Sequence, residues 1–390
     1  MFVGCSEQPD TGVSGDPQNM SPLELVDTLL VHQSELHYNS IDSIENPLAK
    51  NHLYRAKIQQ HIAKEAPVTI QELALKNATI NTSSGDRPVK KAFFIPRNSK
   101  ASWQLRVQFQ NDIFTNTDYY FTNGARIAFT SVLAHKGFYQ LLFGQKKHLS
   151  VELVGFSITQ NIYTPTNPDV TEVLAGDRPF SGYLTFGQFR ETYNVLDKII
   201  IKSRLEMGVL GPASLGDQVQ SSIHQIEPVG WDNQIRNMPV INYFFTIEKG
   251  IFNQPYAEIN LTGSLAAGTA FNLVEPGIYF RTGRFLPVLK GEASLGQNSA
   301  IDRQVQYWFF VEAKSKFVVY DATLQGNMFN HSDPYVISTS EINRFVPRIQ
   351  AGLALYYDRF GVECSAFYLA PEFKQARDFR WGSIRLIYNF

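Results

Sequence analysis

The sequence is short of several things, and each shortage excludes a class. Among 390 residues there are only two cysteines, Cys5 and Cys364, far apart and at no metal-binding spacing. A disulfide framework is therefore not expected. Cys364 alternates within an apolar stretch, so packing accounts for it. Charge is scarce as well: Asp, Glu, Lys and Arg make up 18% of the chain, little for a soluble surface. Neither sign dominates, with 35 Lys and Arg against 36 Asp and Glu and a net charge of -1. That removes the electrostatic case for nucleic acid. No run of about 18 apolar residues occurs, which excludes a spanning helix but not a membrane barrel. Barrel strands need only about 9–11 residues of alternating character. The Gly-x-Ser-x-Gly elbow, His-Glu-x-x-His and the Walker loop are missing too, so a serine acyl-enzyme is not indicated. The opening "MFVGCS" lacks the basic start and apolar core of a signal peptide. Gly4 before Cys5 resembles the tail of a lipoprotein signal; a mis-set gene start at Met1 is the other reading.

What the chain has instead is aromatic residues, 13% of the total, with Phe 29 and Tyr 18, and alternation. Trp103, Leu105, Val107 and Phe109 alternate with Gln104, Arg106, Gln108 and Gln110. Period two marks a strand with two unlike faces. Ile201, Ser203, Leu205, Met207 and Val209 alternate with Lys202, Arg204, Glu206 and Gly208 in the same way. So do Ile384, Leu386, Tyr388 and Phe390 with Ser383, Arg385, Ile387 and Asn389. Further strands are expected near 121–133, 148–163, 180–190, 239–248, 255–269, 271–282, 304–318, 344–357 and 360–370, about twelve in all. Two all-β architectures compete: a soluble sandwich or barrel, and a transmembrane barrel with lipid outside and a polar interior. The Gln, Arg, Lys and Glu residues on the polar faces suit a hydrated lumen. Tyr, Trp and Phe gather at strand ends as interfacial girdles do. The terminal "IRLIYNF" is an amphipathic strand ending on an aromatic. The membrane barrel, antiparallel and about twelve-stranded, is the favoured reading.

Upstream the texture differs. Residues 6–20 are rich in Gly, Pro, Ser and Asp, and the tail over 1–20 is expected to be disordered. "SPLELVDTLLVHQSEL" reads as a helix, with Ser21 capping, Pro22 in the first turn and Glu24 three after the cap. Other helices are expected over about 48–64 and after Thr69, then a linker at "INTSSGDRPVKK". The expected organisation is a tail (1–20), a helical extension and linker (21–95) and a barrel (96–390).

Three clusters carry candidate chemistry. The first is "QNDIFTNTDYYFTNG", 110–124, where Asn111 and Asp112 end one strand and Thr122, Asn123 and Gly124 begin the next. Turn chemistry explains Asn116, Asp118 and Gly124. It explains Asn111 and Asp112 less well, since they continue a strand and are read as pointing inward beside Gln110. The second is "AGDRPFSGYL", 175–184. Arg178 either clamps a phosphate or carboxylate through its planar fork or closes its loop by pairing with Asp177. The third, "GPASLGDQVQSSIHQIEPVGWDNQI", 211–235, breaks the strand pattern. A short helix is expected over Asp217–Ile226 at one mouth, with Gln220 and His224 four apart on one face. A single His is more often structural than catalytic. Beside Asp112, however, an imidazole can act as a general base on water while carboxylates hold a cation that polarises a carbonyl.

At these clusters the sequence resembles the outer-membrane lipid A 3-O-deacylases. The likeness rests on Asn111-Asp112, Phe121-Thr122-Asn123-Gly124, "QNIYTPTN" at 160–167, "GDRPFSGYL" at 176–184, and "GVLGPASLGDQVQSSIHQI" followed by Gly230-Trp231-Asp232. It covers roughly 103–390. The resemblance implies a twelve-stranded barrel and a calcium-dependent hydrolase that removes the 3′-O-linked acyl chain of lipid A. His224 would be the base, Asn111 and Asp112 would bind Ca2+ or orient the site, and Thr122 and Gln220 would complete a polar pocket between barrel wall and lumen. The loop 165–176 contains no Lys or Arg, which leaves Arg178 as the candidate contact for lipid A phosphates. The implied partners are lipopolysaccharide and the outer membrane, with the barrel a monomer. A non-enzymatic barrel, lipid-binding or pore-like, is the alternative.

Overall fold

Twelve antiparallel strands close on themselves in a computed structural model of the chain. It describes residues 103–112, 119–130, 137–144, 150–223, 229–254, 256–286, 288, 293 and 305–390. The expected tail and helical extension lie outside these residues. So does His224.

The strands are β1 (Gln104–Asn111), β2 (Tyr120–Thr130), β3 (Ser150–Thr164), β4 (Ser181–Asn194), β5 (Ile199–Leu210), β6 (Met238–Gln254), β7 (Ala257–Gly268), β8 (Phe271–Arg284), β9 (Gln306–Asp321), β10 (Phe345–Tyr357), β11 (Phe360–Leu369) and β12 (Phe379–Asn389). Each pairs with its sequence neighbours, and β1 pairs with β12 to complete the barrel. The C-terminal Phe390 N–H donates to Trp103 O at 2.8 Å, locking the seam. Closure removes every sheet edge, which a β-structure in hydrocarbon requires. Helix α1 (Gly216–Ile223) lies between β5 and β6, and the short α2 (Ala322–Gln325) follows β9.

Alternation sorts the side chains as the sequence suggests. Val107, Phe109, Ile127, Ile158, Phe186 and Leu386 stand exposed on the outer wall. Arg106, Arg126, Glu191, Lys202 and Arg385 face the interior together with Phe189 and Phe244. An apolar belt around a polar interior is the arrangement of a barrel in lipid. Cys364 is a free thiol on the exposed side of β11. The lumen is packed at both levels. Near the end where α1 and α2 lie, Tyr120, Phe121, Phe367, Phe373, Phe379 and Trp381 form an aromatic cluster. Towards the end where β1 begins and β12 finishes, Tyr279, Phe285, Trp308, Phe310 and Tyr356 form another. The tight turns β4–β5, β6–β7 and β10–β11 also lie at that second end, which makes it the periplasmic one.

One connection leaves the barrel rim. After β2, residues 137–144 lie across the outer wall as a strap. The Tyr139 hydroxyl donates to Glu152 of β3 at 3.1 Å, and Arg190 of β4 donates to Leu142 O. Ser203 of β5 donates to Phe143 O at 2.7 Å, and the Phe143 N–H donates to the Tyr243 hydroxyl of β6 at 2.8 Å. Beneath the strap, Arg190 and Glu152 form an ion pair at 2.7 Å. Lipid would otherwise meet that pair.

Candidate active site on the outer wall

The β1–β2 connection begins with alternation still in force. Gln110 pairs with Gly124 and Ser383 on the inward face, so Asn111 faces outward, opposite Asn123. This corrects the expectation that Asn111 would point into the lumen. A β-bulge between Phe121 and Asn123 then re-aims β2. Bulges redirect side chains in this way beside active sites. Phe121 turns inward onto Trp381. A Cβ on Gly124 would come within 2.5 Å of the Phe121 ring, so only glycine leaves room for that turn. Thr122 is left to meet Thr164 of β3, hydroxyl to hydroxyl at 2.7 Å, and its carbonyl accepts from Asn111 Nδ2 at 2.7 Å. Asn111, Thr122 and Thr164 thus form one polar row across β1, β2 and β3. Asp112, Thr122 and Thr164 are all buried.

The helical insertion supplies the cover. Gly211, with φ 107°, makes the turn out of β5, and its N–H donates to Gly182 O of β4. A Cβ on Gly182 would lie 2.5 Å from Ser214 Oγ, so this glycine lets the insertion press against the wall. Gln160 of β3 donates to Ser214 O at 2.7 Å. Ile162, Phe180 and Trp231 pack together under Val219 of α1. Inside that apolar packing, Trp231 Nε1 donates to Gln220 Oε1 at 2.8 Å. This contact gives the Gly-Trp-Asp motif its role: the indole fixes the Gln220 carboxamide. Gln220 is 3% exposed, and its Nε2 has no hydrogen-bond partner. Asn123 Oδ1 is likewise buried without one. Buried polar atoms are nearly always paired, so an unspent donor and an unspent acceptor in one neighbourhood mark a place built for something else to bind.

Arg178 is elsewhere in purpose. It is 2% exposed, and its guanidinium donates to Glu372 at 2.6 Å and to Thr323 Oγ1 at 2.7 Å, stacked 4.2 Å over Tyr163. Burial works against its charge, yet the Glu372 and Asp321 carboxylates raise its pKa above the usual value. Burial likewise opposes the Glu372 carboxylate, but Lys316 and Arg178 hold it below the usual range. The fork of Arg178 is committed to the mouth of the barrel, which corrects its expected role as a phosphate clamp. The pairing with Asp177 fails as well. Asp177 accepts instead from Thr166 N and Oγ1 and from Arg178 N, holding the loop after β3. Long-range partners of this kind leave no mark in local sequence.

Among the described residues no three His, Cys, Asp or Glu side chains gather as a metal cluster. Asn111 in the row, Asn123 opposite it and Asp112 next in sequence nonetheless carry oxygen acceptors of the kind calcium prefers: the Asn111 amide oxygen, the unspent Asn123 Oδ1 and the Asp112 carboxylate. In donor type the residues fit that ion.

A closed barrel of twelve strands with an apolar belt and a polar lumen is an outer-membrane protein. The model of the family "Outer membrane protein LpxR" matches residues 80–390, and the chain belongs to that family. Among solved structures it is similar to LpxR from Salmonella typhimurium, with a TM-score of 0.58 and 20% identity over 74% of this chain and 100% of that one. The β domain of the Bordetella autotransporter BrkA is more distant, with a TM-score of 0.37 and 12% identity over 74% and 98%. Among curated proteins no sequence matches.

Proposed function

We propose that this outer-membrane protein is a lipid A 3′-O-deacylase, a carboxylic ester hydrolase that needs calcium and works as a monomer. The observation that carries the reading is the position of the polar row: Asn111, Thr122 and Thr164 face outward, on the wall that meets lipid. An acyl ester of a membrane lipid reaches such a site without leaving the bilayer surface.

The roles follow from chemistry. His224 follows Gln220 by four residues in sequence, and in this reading it takes a proton from water as general base. The hydroxide so formed adds to the ester carbonyl carbon. The carbonyl electrons move onto oxygen, where Gln220 Nε2 donates a hydrogen bond to the new oxyanion. Collapse breaks the bond to the sugar oxygen, which takes the proton back from the imidazolium. The products are a free 3′-hydroxyl and a fatty acid. Asn111, Asp112 and Asn123 would hold the calcium, which when bound supplies positive charge beside the developing oxyanion. Thr122 fixes Asn111 through its carbonyl.

Mass spectrometry of lipid A incubated with the purified protein, with calcium and with a chelator, tests the reading. Loss of one 3′ acyl or acyloxyacyl group only with calcium is expected. Unchanged lipid A from a folded, heat-modifiable protein in calcium would overturn it.

A further inference from the structure

The interior holds a cavity of about 180 Å³ that the polar row does not share. It lies in the lumen, on the opposite face of β1 and β2 from Asn111 and Asn123. Arg106, Arg126, Lys202, Arg204 and Arg385 line it, and Glu191 is the one acidic residue among the lining side chains.

Three of these arginines have carboxylates of their own. Arg106 pairs with Glu191 at 3.0 Å, Arg204 with Glu206 at 2.7 Å, and Arg385 with Glu363 at 2.8 Å. Arg126 does not. Its contacts are a long hydrogen bond of 3.5 Å to Ser157 Oγ and the Phe189 ring, whose centroid lies 5.9 Å away. Arg106 stacks on the same ring at 5.1 Å. Two guanidinium groups therefore share one aromatic wall, with further basic residues across the gap. Arg126 thus sits among basic neighbours in the lumen with no carboxylate of its own, and a buried charge without a counter-charge is costly.

We propose that the lumen cavity is a binding site for a small tetrahedral oxyanion of the phosphate class, with Arg126 as its principal ligand. Planar guanidinium forks match the oxygens of such an anion. The cavity has room for the anion with some of its waters, and strand walls keep out an intact lipid headgroup with its chains. The anion supplies the missing negative charge and ties β1, β2, β5 and β12 together from within.

The test uses the full chain, purified in non-ionic detergent and freed of lipopolysaccharide and phospholipid. Equilibrium dialysis with radiolabelled inorganic phosphate is expected to show one saturable site per barrel, displaced by sulfate. Arg126→Gln should weaken binding about ten-fold or more, and Arg126→Lys, which keeps the charge but loses the fork, should fall between. Arg348→Gln removes a lumen arginine outside the cavity and should leave binding unchanged. In thermal unfolding, phosphate should raise the midpoint of the wild-type barrel but not of Arg126→Gln. Without phosphate, Arg126→Gln should unfold no earlier than wild type, since it removes a charge that has no partner. No saturable phosphate on the folded barrel would overturn the proposal. Equal loss in Arg126→Gln and Arg348→Gln, or binding only when lipid is left in the preparation, would overturn it as well.

Discussion

Two buried polar clusters sit near opposite ends of this barrel, and they differ in what they leave undone. Towards the periplasmic end, Arg281 and Glu258 are fully buried. Arg281 Nε donates to Glu258 at 2.9 Å and its Nη2 to Leu286 O at 3.0 Å, while the Val288 N–H donates to the other Glu258 oxygen at 2.6 Å. Phe285 covers the guanidinium at 3.9 Å. At the other end, the row from Asn111 to Gln220 is just as carefully positioned, yet it keeps an unspent donor at Gln220 Nε2 and an unspent acceptor at Asn123 Oδ1. Burial alone does not tell a structural cluster from a functional one. What sets this end apart is that its unspent donor and acceptor lie beside the residues proposed for catalysis.

That contrast has consequences that measurement can break. The largest effect is expected at the site: His224→Ala and Asp112→Ala should each lower deacylation by about 10² to 10⁴-fold, while heat-modifiable gel migration shows an intact barrel. Arg281→Met should do the reverse. It strands Glu258 in the interior and should cost about 3–5 kcal/mol of stability, read as a lower unfolding midpoint in detergent, with turnover per folded molecule unchanged. Gln220→Glu sharpens the comparison further. It keeps an acceptor for the Trp231 indole but replaces the unspent donor, so activity should fall by about 10² to 10³-fold with the unfolding midpoint almost unmoved. The smallest effect concerns pH. The pKa of Glu372 lies below its ordinary value, so its contribution is present above the unfolded carboxylate pKa of about 4.3. It is lost as pH falls through the lower folded value. Acid unfolding followed by tryptophan fluorescence should therefore show a destabilising step below about pH 4.3 that Glu372→Gln removes.

Much of this architecture was legible from alternation alone. The period-two runs at 103–110, 201–209 and 383–390 identified the apolar and polar walls, and twelve strands followed from the spacing. The outward turn of Asn111 was legible too, because Gln104, Arg106, Gln108 and Gln110 share one face and the next residue must take the other. The polarity of the neighbours obscured it. The bulge at Thr122 was hidden, since an extra residue in one strand shows only against its partner. The ion pair between Arg178 and Glu372 spans 194 positions in sequence, and no local pattern carries a contact of that range. Trp231 is legible as part of a motif, but its bond to Gln220 depends on how the insertion folds back. Of the helix expected over Asp217–Ile226, the described part is Gly216–Ile223, starting one residue earlier after the Gly211-Pro212 turn out of β5, and residues 224–226 lie outside the described residues.

The strap over residues 137–144 bears on the order in which the barrel is assembled. Its anchors belong to four successive strands, Glu152 on β3, Arg190 on β4, Ser203 on β5 and Tyr243 on β6. The segment precedes all four in the chain, so it must wait, already translated, until the last of them is in register. Until then the Glu152–Arg190 pair faces acyl chains, where a charged side chain costs up to about 2–4 kcal/mol depending on depth. Laying down the strap ends that exposure, and the sector from β3 to β6 is completed as one unit.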